Sequence, residues 1–175
     1  HTLDNPNPYG TSASDYFGYS VAISGNSVIV GAYGEDRIAG GEAGRAYIFN
    51  ATSGALLHTL SDPNPYGSSQ YDSFGGSVAI DGNSAIVGAQ NEDELNNLSS
   101  GKAYIFNVTS GALVHTLDNP IADGTSGDDR FGFSVAMSGN YAIVGANRAD
   151  DAGGGNSGRA YIYNVSTGAL LQTLD

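Results

Sequence analysis

The chain has 175 residues, of which 40% are hydrophobic, so it can form a domain with a core and is not a disordered linker. Eighteen acidic residues against six basic ones give a formal charge of −12, which argues against nucleic acid or an anionic membrane surface as partner and favours a cation or a basic partner. The absence of cysteine excludes disulfides and thiol catalysis. No apolar run approaches the ~20 residues of a membrane helix, so membrane insertion is not expected.

A repeat organises the whole sequence. The stretch Phe17–Ala32 returns as Phe74–Ala89 and again as Phe131–Ala146, each time 57 residues later and without insertion or deletion. The chain is therefore predicted to be a single repeat domain over residues 1–175. Its repeats run over 4–60, 61–117 and 118–174, and residues 1–3 match the end of a preceding repeat. We expect the sequence to start in the middle of a repeat and to be a piece of something longer.

Four short segments recur in each repeat and are predicted to be β-strands. They are rich in Val, Ile, Tyr and Phe, they are bounded by Gly, Asn and Ser, and none has helical spacing. In chain order the first unit contains Phe17–Ser24, Ser27–Ala32, Arg45–Asn50 and Ala55–Leu60. The second contains Phe74–Asp81, Ser84–Ala89, Lys102–Asn107 and Ala112–Leu117. The third contains Phe131–Ser138, Tyr141–Ala146, Arg159–Asn164 and Ala169–Leu174.

Several of these segments are apolar on both faces, as in Val28-Ile29-Val30. Strands with one wet face would alternate instead, so antiparallel units of four strands covered on both sides are predicted to be the blades of a β-propeller. Three units make an all-β, partial or oligomer-completed propeller. An open end would leave one apolar blade face exposed to water. Burying that face would stabilise the protein by roughly 10 kcal/mol, which favours further blades or self-association.

The loops are unequal in length. Segments one and two, and segments three and four, are joined by tight turns, whereas the two-to-three loop (33–44) and the unit-to-unit loop (4–16) are long and polar. In an up-and-down blade the two long loops leave the sheet on the same face. All acidic residues except Asp81 are predicted to lie on or near that face.

The sequence resembles the FG-GAP repeat, which forms the propeller blades of integrin α subunits and many microbial surface proteins. Phe17-Gly18 followed by Gly31-Ala32 carries the resemblance, with its two later copies. It implies an extracellular, cell-surface or virion-surface protein. The integrin-type calcium loop lies between strands one and two. Only Ser24-Gly25-Asn26 and its equivalents stand there, so the resemblance does not place calcium in that loop.

A different calcium site, between adjacent long loops, is one hypothesis for the recurring aspartates. Calcium prefers several oxygen ligands, and these carboxylates are predicted to share a face. The alternative is that each aspartate binds backbone amides and shapes a glycine-rich loop. The candidates are Asp15, Asp36, Asp72, Asp93, Asp129 and Asp150.

Tyrosines on the same face are candidates for partner binding. Tyr9, Tyr33 and Tyr66 could stack on a sugar or a partner side chain, or could pack loop against loop. Glycosylation sequons begin at Asn50, Asn97, Asn107 and Asn164. The first, third and fourth of these also stand where a tight turn favours asparagine, which makes turn formation the alternative.

No catalytic pattern is found, since the chain lacks a Gly-x-Ser-x-Gly elbow and its carboxylates recur in every unit. The expected function is therefore a non-enzymatic binding or adhesion module for a protein or glycan ligand. The alternative is a structural unit of a surface fibre, sheath or oligomeric assembly.

Overall fold

A computed structural model describes residues 1–6, 14–35, 43–63, 72–92, 99–120, 128–150 and 155–175. These residues form twelve strands in three four-stranded antiparallel sheets, with no helix among them. No described segment is a helix suited to crossing a membrane. Each sheet is one repeat, its strands lie side by side in chain order, and the three sheets do not close on one another. The predicted architecture of an all-β, partial propeller is confirmed.

The strand bounds follow the repeat. The first sheet contains β1 (Ser20–Ser24), β2 (Ser27–Ala32), β3 (Arg45–Asn50) and β4 (Leu56–Ser61). The second contains β5 (Phe74–Asp81), β6 (Ser84–Ala89), β7 (Lys102–Asn107) and β8 (Leu113–Asp118). The third contains β9 (Phe131–Ser138), β10 (Tyr141–Ala146), β11 (Arg159–Asn164) and β12 (Leu170–Leu174).

The first strand is shorter than predicted. It begins at Ser20 rather than at Phe17, whereas its equivalents β5 and β9 begin at the phenylalanine. The reason lies in the preceding sheet, because the backbone N–H of Phe74 donates to the Ala43 carbonyl and that of Phe131 to the Ser100 carbonyl. No described sheet precedes the first one. Phe17 is accordingly only half-buried, while Phe74 and Phe131 are fully buried.

Both faces of a sheet are apolar, as predicted, and they enter different clusters. We call the two faces front and rear. In the first sheet the front face presents Ile29, Ile48 and Leu60, which pack with the second sheet. The rear face presents Val30, Tyr47 and Phe49, which form a separate cluster. The front of the second sheet packs on the rear of the third in the same way. Sheets therefore stack front to rear, each with the next along the chain.

Neighbouring sheets approach most closely at their inner strands. The hydroxyl of Ser20 donates to the carbonyl of Gly75 at 2.7 Å, and that of Ser77 donates to the carbonyl of Gly132 at the same distance. A Cβ added at Gly31 would lie 2.0 Å from the Gly75 carbonyl oxygen. The space between the sheets at this point admits only glycine, and this explains the small residues of the predicted inner segment.

The opposite ends of the strands carry the short turns, which we call the short-turn edge. The side-chain oxygen of Asn26, in the β1–β2 turn, accepts a 2.6 Å hydrogen bond from the Thr52 hydroxyl in the β3–β4 turn. The pairs Asn83–Thr109 and Asn140–Ser166 repeat this link. Each sheet is therefore fastened across its own short-turn edge.

Replacing Gly31 by alanine tests the close approach. We expect Gly31→Ala to lower the free energy of unfolding by about 1–3 kcal/mol, because its Cβ collides with backbone of the next sheet. Gly145→Ala is the matched control at chain concentrations too low for self-association, since in the single chain the added Cβ meets mainly the Ser134 hydroxyl, which can rotate away. Chemical denaturation of the two variants makes the comparison. Equal losses at both positions would show that the contact between sheets is not what restricts Gly31.

Candidate functional site: the long-loop edge

The long-loop edge is formed by the ends of the unit-to-unit loops and of the loops between the second and third strands of each sheet. Its described residues include 14–19, 33–35, 72–76, 90–92, 128–133 and 147–150. The two loops of a unit meet there through backbone hydrogen bonds. The carbonyl of Asp15 accepts from the N–H of Gly34 at 3.3 Å, and the carbonyls of Asp72 and Asp129 accept equivalent bonds.

The recurring aspartates at this edge are buried. Asp15, Asp72 and Asp129 are 7%, 2% and 1% exposed. The Asn5 side-chain amide donates to the Asp15 carboxylate at 2.8 Å, and Asn119 donates to Asp129 at 2.6 Å. Two of these carboxylates therefore bind a side-chain amide of the segment that enters their own unit, a contact that differs from the predicted binding of backbone amides.

The remaining calcium candidates divide into two groups. The carboxylate of Asp150 accepts a 2.7 Å hydrogen bond from the backbone N–H of Asn156, within its own loop. Asp36 and Asp93 lie outside the described residues. Within the described ranges, no three His, Cys, Asp or Glu side chains form a group that could hold a metal ion. Calcium binding stays a prediction.

Tyr33 belongs to an aromatic cluster that is specific to the first unit. Its ring stacks on Tyr16 at a centroid distance of 4.9 Å and meets Tyr19 edge to face at 4.5 Å. Tyr16 and Tyr19 remain 53% and 63% exposed. The rings thus pack loop against loop and still present a surface to solvent. We call Tyr16, Tyr19 and Tyr33 the tyrosine cluster. Tyr9 and Tyr66 lie outside the described residues.

The same positions carry other chemistry in the other units. The second unit has Ser73, Gly76 and Gln90, and the third has Arg130, Phe133 and Asn147. In the third unit Asp128 accepts from the Arg130 guanidinium at 2.9 Å and also binds Arg148. Burial raises the pKa of the Asp128 carboxyl, but the hydrogen bonds from the two arginines outweigh it and leave that pKa lowered. The long-loop edge therefore presents a different surface in each unit.

Two buried glutamates underlie the edge, and neither is among the residues predicted to form a site. Glu35 and Glu92 are 0% exposed. The hydroxyl of Tyr47 donates to Glu35, and that of Tyr104 donates to both Glu92 oxygens at 2.5 and 2.6 Å. Their signal in the sequence is the repeat itself, because each glutamate stands twelve residues before its tyrosine partner. In the third unit Ala149 replaces the glutamate before Tyr161.

The two glutamates have different electrostatic surroundings. The Arg45 guanidinium Nε lies 3.1 Å from a Glu35 oxygen, whereas Lys102, at the equivalent position, binds Asp118. Burial raises the pKa of Glu92 to about 9, and the nearby Asp62 adds to the rise. The hydrogen bond from Tyr104 and the charge of Lys102 only partly offset it. Burial likewise raises the pKa of Tyr47 and Tyr104 above the ordinary range.

Three of the four sequons lie in the turns of the short-turn edge. The side-chain oxygen of Asn50 accepts from the backbone N–H groups of Thr52 and Ser53 at 3.0 and 2.8 Å. Asn107 and Asn164 accept equivalent bonds in their own turns. These hydrogen bonds are those of the turn alternative, and glycosylation is untested. Asn97 lies outside the described residues.

Comparison with protein families agrees with this geometry. A family model described as the FG-GAP repeat matches residues 8–49, 65–106 and 121–163. The chain belongs to the FG-GAP repeat family. FG-GAP proteins are generally non-enzymatic, and their repeats suggest a propeller-like binding or adhesion module. No curated protein matches the chain.

The Glu92 site predicts a pH effect on the stability of this FG-GAP protein. Its folded-state pKa of about 9 exceeds the 4.5 of an unperturbed glutamate, so its contribution to stability is fully present below pH 4.5 and is lost as the pH rises toward 9. We expect Glu92→Gln to stabilise the protein at pH 8 by about 1–3 kcal/mol, with the gain vanishing near pH 4.5. Thermal unfolding of both proteins across this range measures the difference.

Glu35→Gln is the matched control for this prediction. Removing the Glu35 charge leaves the partly buried Arg45 without its carboxylate, so we expect a loss of about 3–5 kcal/mol at pH 7. The two substitutions should therefore change stability in opposite directions at neutral pH. A Glu92→Gln variant that is less stable than the parent at pH 8 would contradict the raised pKa of Glu92.

Proposed function

We propose that this FG-GAP protein is a non-catalytic binding and adhesion module of an extracellular, cell or virion surface, and that its long-loop edge contacts the partner. FG-GAP repeats are typical of extracellular or surface proteins. An acidic character of this edge is part of the proposal, because the loops that meet there contain most of the acidic residues of the chain. The partner class that the described side chains fit is a neutral glycan.

The difference between core and edge supports this proposal. The positions that bury between sheets repeat almost unchanged, as with Ile29, Ile86 and Ile143. The exposed or partly exposed edge positions do not repeat, as with Tyr19, Gly76 and Phe133. Packing explains the first set, because each sheet must fit the next in the same way. Packing places no such constraint on the exposed second set, so variation there is available for recognition.

The tyrosine cluster is the observation from which we infer that the ligand is a glycan. Tyr16, Tyr19 and Tyr33 hold one another in place, so their rings lose little freedom when a ligand binds. Exposed aromatic rings stack well on the apolar face of a sugar and can also donate hydrogen bonds through their hydroxyls. The net charge of −12 disfavours sulfated or sialylated sugars, which leaves neutral glycans as the class with the best fit.

Removing rings from the cluster tests the proposal. A panel of neutral oligosaccharides serves as the probe, titrated by calorimetry with calcium and with a chelator. For an oligosaccharide that binds, we expect Tyr19→Ala with Tyr33→Ala to weaken binding by about tenfold or more, because each stacked ring contributes about 0.5–1.5 kcal/mol.

Tyr141→Ala is the control for the ring substitutions. Tyr141 is 60% exposed and begins β10 at the short-turn edge, away from the tyrosine cluster. Its loss should leave the affinity unchanged. Failure of every neutral oligosaccharide to bind would overturn the glycan assignment, and equal losses from both sets of substitutions would overturn the assignment to the long-loop edge.

A further inference from the structure

The three front faces carry the same side chains. At five equivalent positions each unit has alanine, isoleucine, alanine, isoleucine and leucine. The sets are Ala22, Ile29, Ala46, Ile48, Leu60; Ala79, Ile86, Ala103, Ile105, Leu117; and Ala136, Ile143, Ala160, Ile162, Leu174. The first two sets are the front surfaces on which the next sheet packs inside the chain. The third set has the same composition for receiving another sheet.

The burial of these residues shows where a sheet is lacking. Ile29 and Ile86 are 0% exposed, whereas Ile143 is 37% exposed. Leu60 and Leu117 are 2% exposed, whereas Leu174 is 40% exposed. The front of the third sheet is therefore an apolar surface that the described part of the chain leaves uncovered.

The rear face of the first sheet is the complementary surface. Val21 and Ile23 are 64% and 67% exposed, although their equivalents in the second sheet, Val78 and Ile80, are 8% and 7% exposed. Val78 and Ile80 are buried because they sit on the front of the first sheet. Val21 and Ile23 have the same residue types as those equivalents, so the rear of the first sheet fits a front face of this protein.

The polar contacts at the two internal interfaces also have equivalents on the front of the third sheet and the rear of the first. The backbone N–H of Gly82 donates to the Ser24 hydroxyl at 3.0 Å, and that of Gly139 donates to the Asp81 carboxylate at 2.6 Å. If the front of a third sheet met the rear of a first sheet, the equivalent donor would be the backbone N–H of Gly25 and the equivalent acceptor the hydroxyl of Ser138. The inner-strand bond from Ser20 to Gly75 has its equivalent in Ser134 and Gly18. The apolar fit and the polar fit thus use the same alignment.

We propose that two copies of this chain pair reciprocally, with the front of each third sheet on the rear of the other copy's first sheet, and close a ring of six sheets. This contact joins two different surfaces, and it closes into a ring of two copies when the three sheets of each copy span half a turn. Six sheets lie within the four to eight of known propellers. The interface continues the two that already exist inside the chain. It leaves the long-loop edge accessible, since Phe133, equivalent to Tyr19, is 44% exposed beside the second sheet.

One adjustment accompanies the pairing. Residues 1–3 are equivalent to 172–174, and Leu3 already packs beside Val30, Tyr47 and Phe49 on the rear of the first sheet. In the ring, the end of the partner's β12 takes this place and the three N-terminal residues leave it. The exchange replaces His-Thr-Leu by Gln-Thr-Leu, so the leucine contact is remade. A chain that starts at Asp4 should therefore pair more tightly than the full chain.

Sedimentation equilibrium tests the proposal on the full 175-residue chain. The expected species has twice the chain mass, and higher salt should favour it because each copy carries a charge of −12. Ile23→Asp should give the mass of a single chain, because it places a charge in the interface at a position exposed in the single copy. A single-chain mass for the parent protein, or growth without limit, would overturn the ring.

Leu57→Asp is the matched control. Leu57 is 45% exposed on β4, and its equivalent Val114 is still 47% exposed in the second sheet, which has neighbours on both sides. This variant should therefore retain twice the chain mass. Loss of pairing in Leu57→Asp as well as Ile23→Asp would overturn the assignment to sheet faces. Weaker pairing of the chain starting at Asp4 would also overturn the proposed alignment.

A disulfide trap identifies the faces, since the protein has no cysteine of its own. Mixing the single variants Gly25→Cys and Ser138→Cys under oxidising conditions should give a covalent two-chain product. Ser24→Cys with Gly82→Cys in one chain is the internal control, because these residues make the same contact inside the chain. Formation of the internal disulfide without the two-chain product would overturn the pairing. Glycan binding is measured separately, so failure of the ring leaves the proposed function to its own test.

Discussion

The contact of backbone against backbone between neighbouring sheets is the constraint on which the structure depends. At Gly31 and Gly88 a carbonyl oxygen of the next sheet occupies the place where a Cβ would stand. Serine hydroxyls of the inner strands bind those same carbonyls. A close approach of this kind tolerates little displacement, because sterics and the hydrogen bond both fix the distance. The phenylalanine-glycine and glycine-alanine pairs recur because the same contact is made at both interfaces between sheets.

This constraint separates the regions that vary from those that do not. A side chain between two sheets must fit both, so five apolar positions of the front face carry the same residue in every unit. A side chain at the long-loop edge touches its own loops and solvent. There, tyrosines in one unit correspond to a hydrogen bond from Asn91 to Ser73 in the second and to an arginine–aspartate network in the third. Repeated packing thus provides a rigid base on which each unit can display different chemistry.

The buried polar groups show the same division within the core. Glu35 meets a guanidinium and a tyrosine, Glu92 meets a tyrosine among other carboxylates, and the third unit has alanine at that position. The partner of the nearby cation differs between units according to the residue at position 61 and its equivalents. Where these are Asp118 and Asp175 they bind the neighbouring cation, and where the residue is Ser61 the cation, Arg45, binds Glu35 instead. Differences at the end of the outer strand and at the neighbouring cation thus accompany the different electrostatic surroundings of the two buried carboxylates.

The sequence by itself determined the all-β class, the four strands of each unit and the stacking of sheets that are apolar on both faces. These are local or periodic properties, because strand propensity and alternation are written in consecutive residues and the repeat supplies three copies of each signal. The shorter first strand was not predicted, since its N-terminal residues pair only when a sheet precedes them. The burial of Asp15, Asp72 and Asp129, the Tyr47–Glu35 pair and the tyrosine cluster were decided by the tertiary structure alone. Each joins residues on different loops or strands, and which of them meet depends on the packing between those segments and not on their order in the chain.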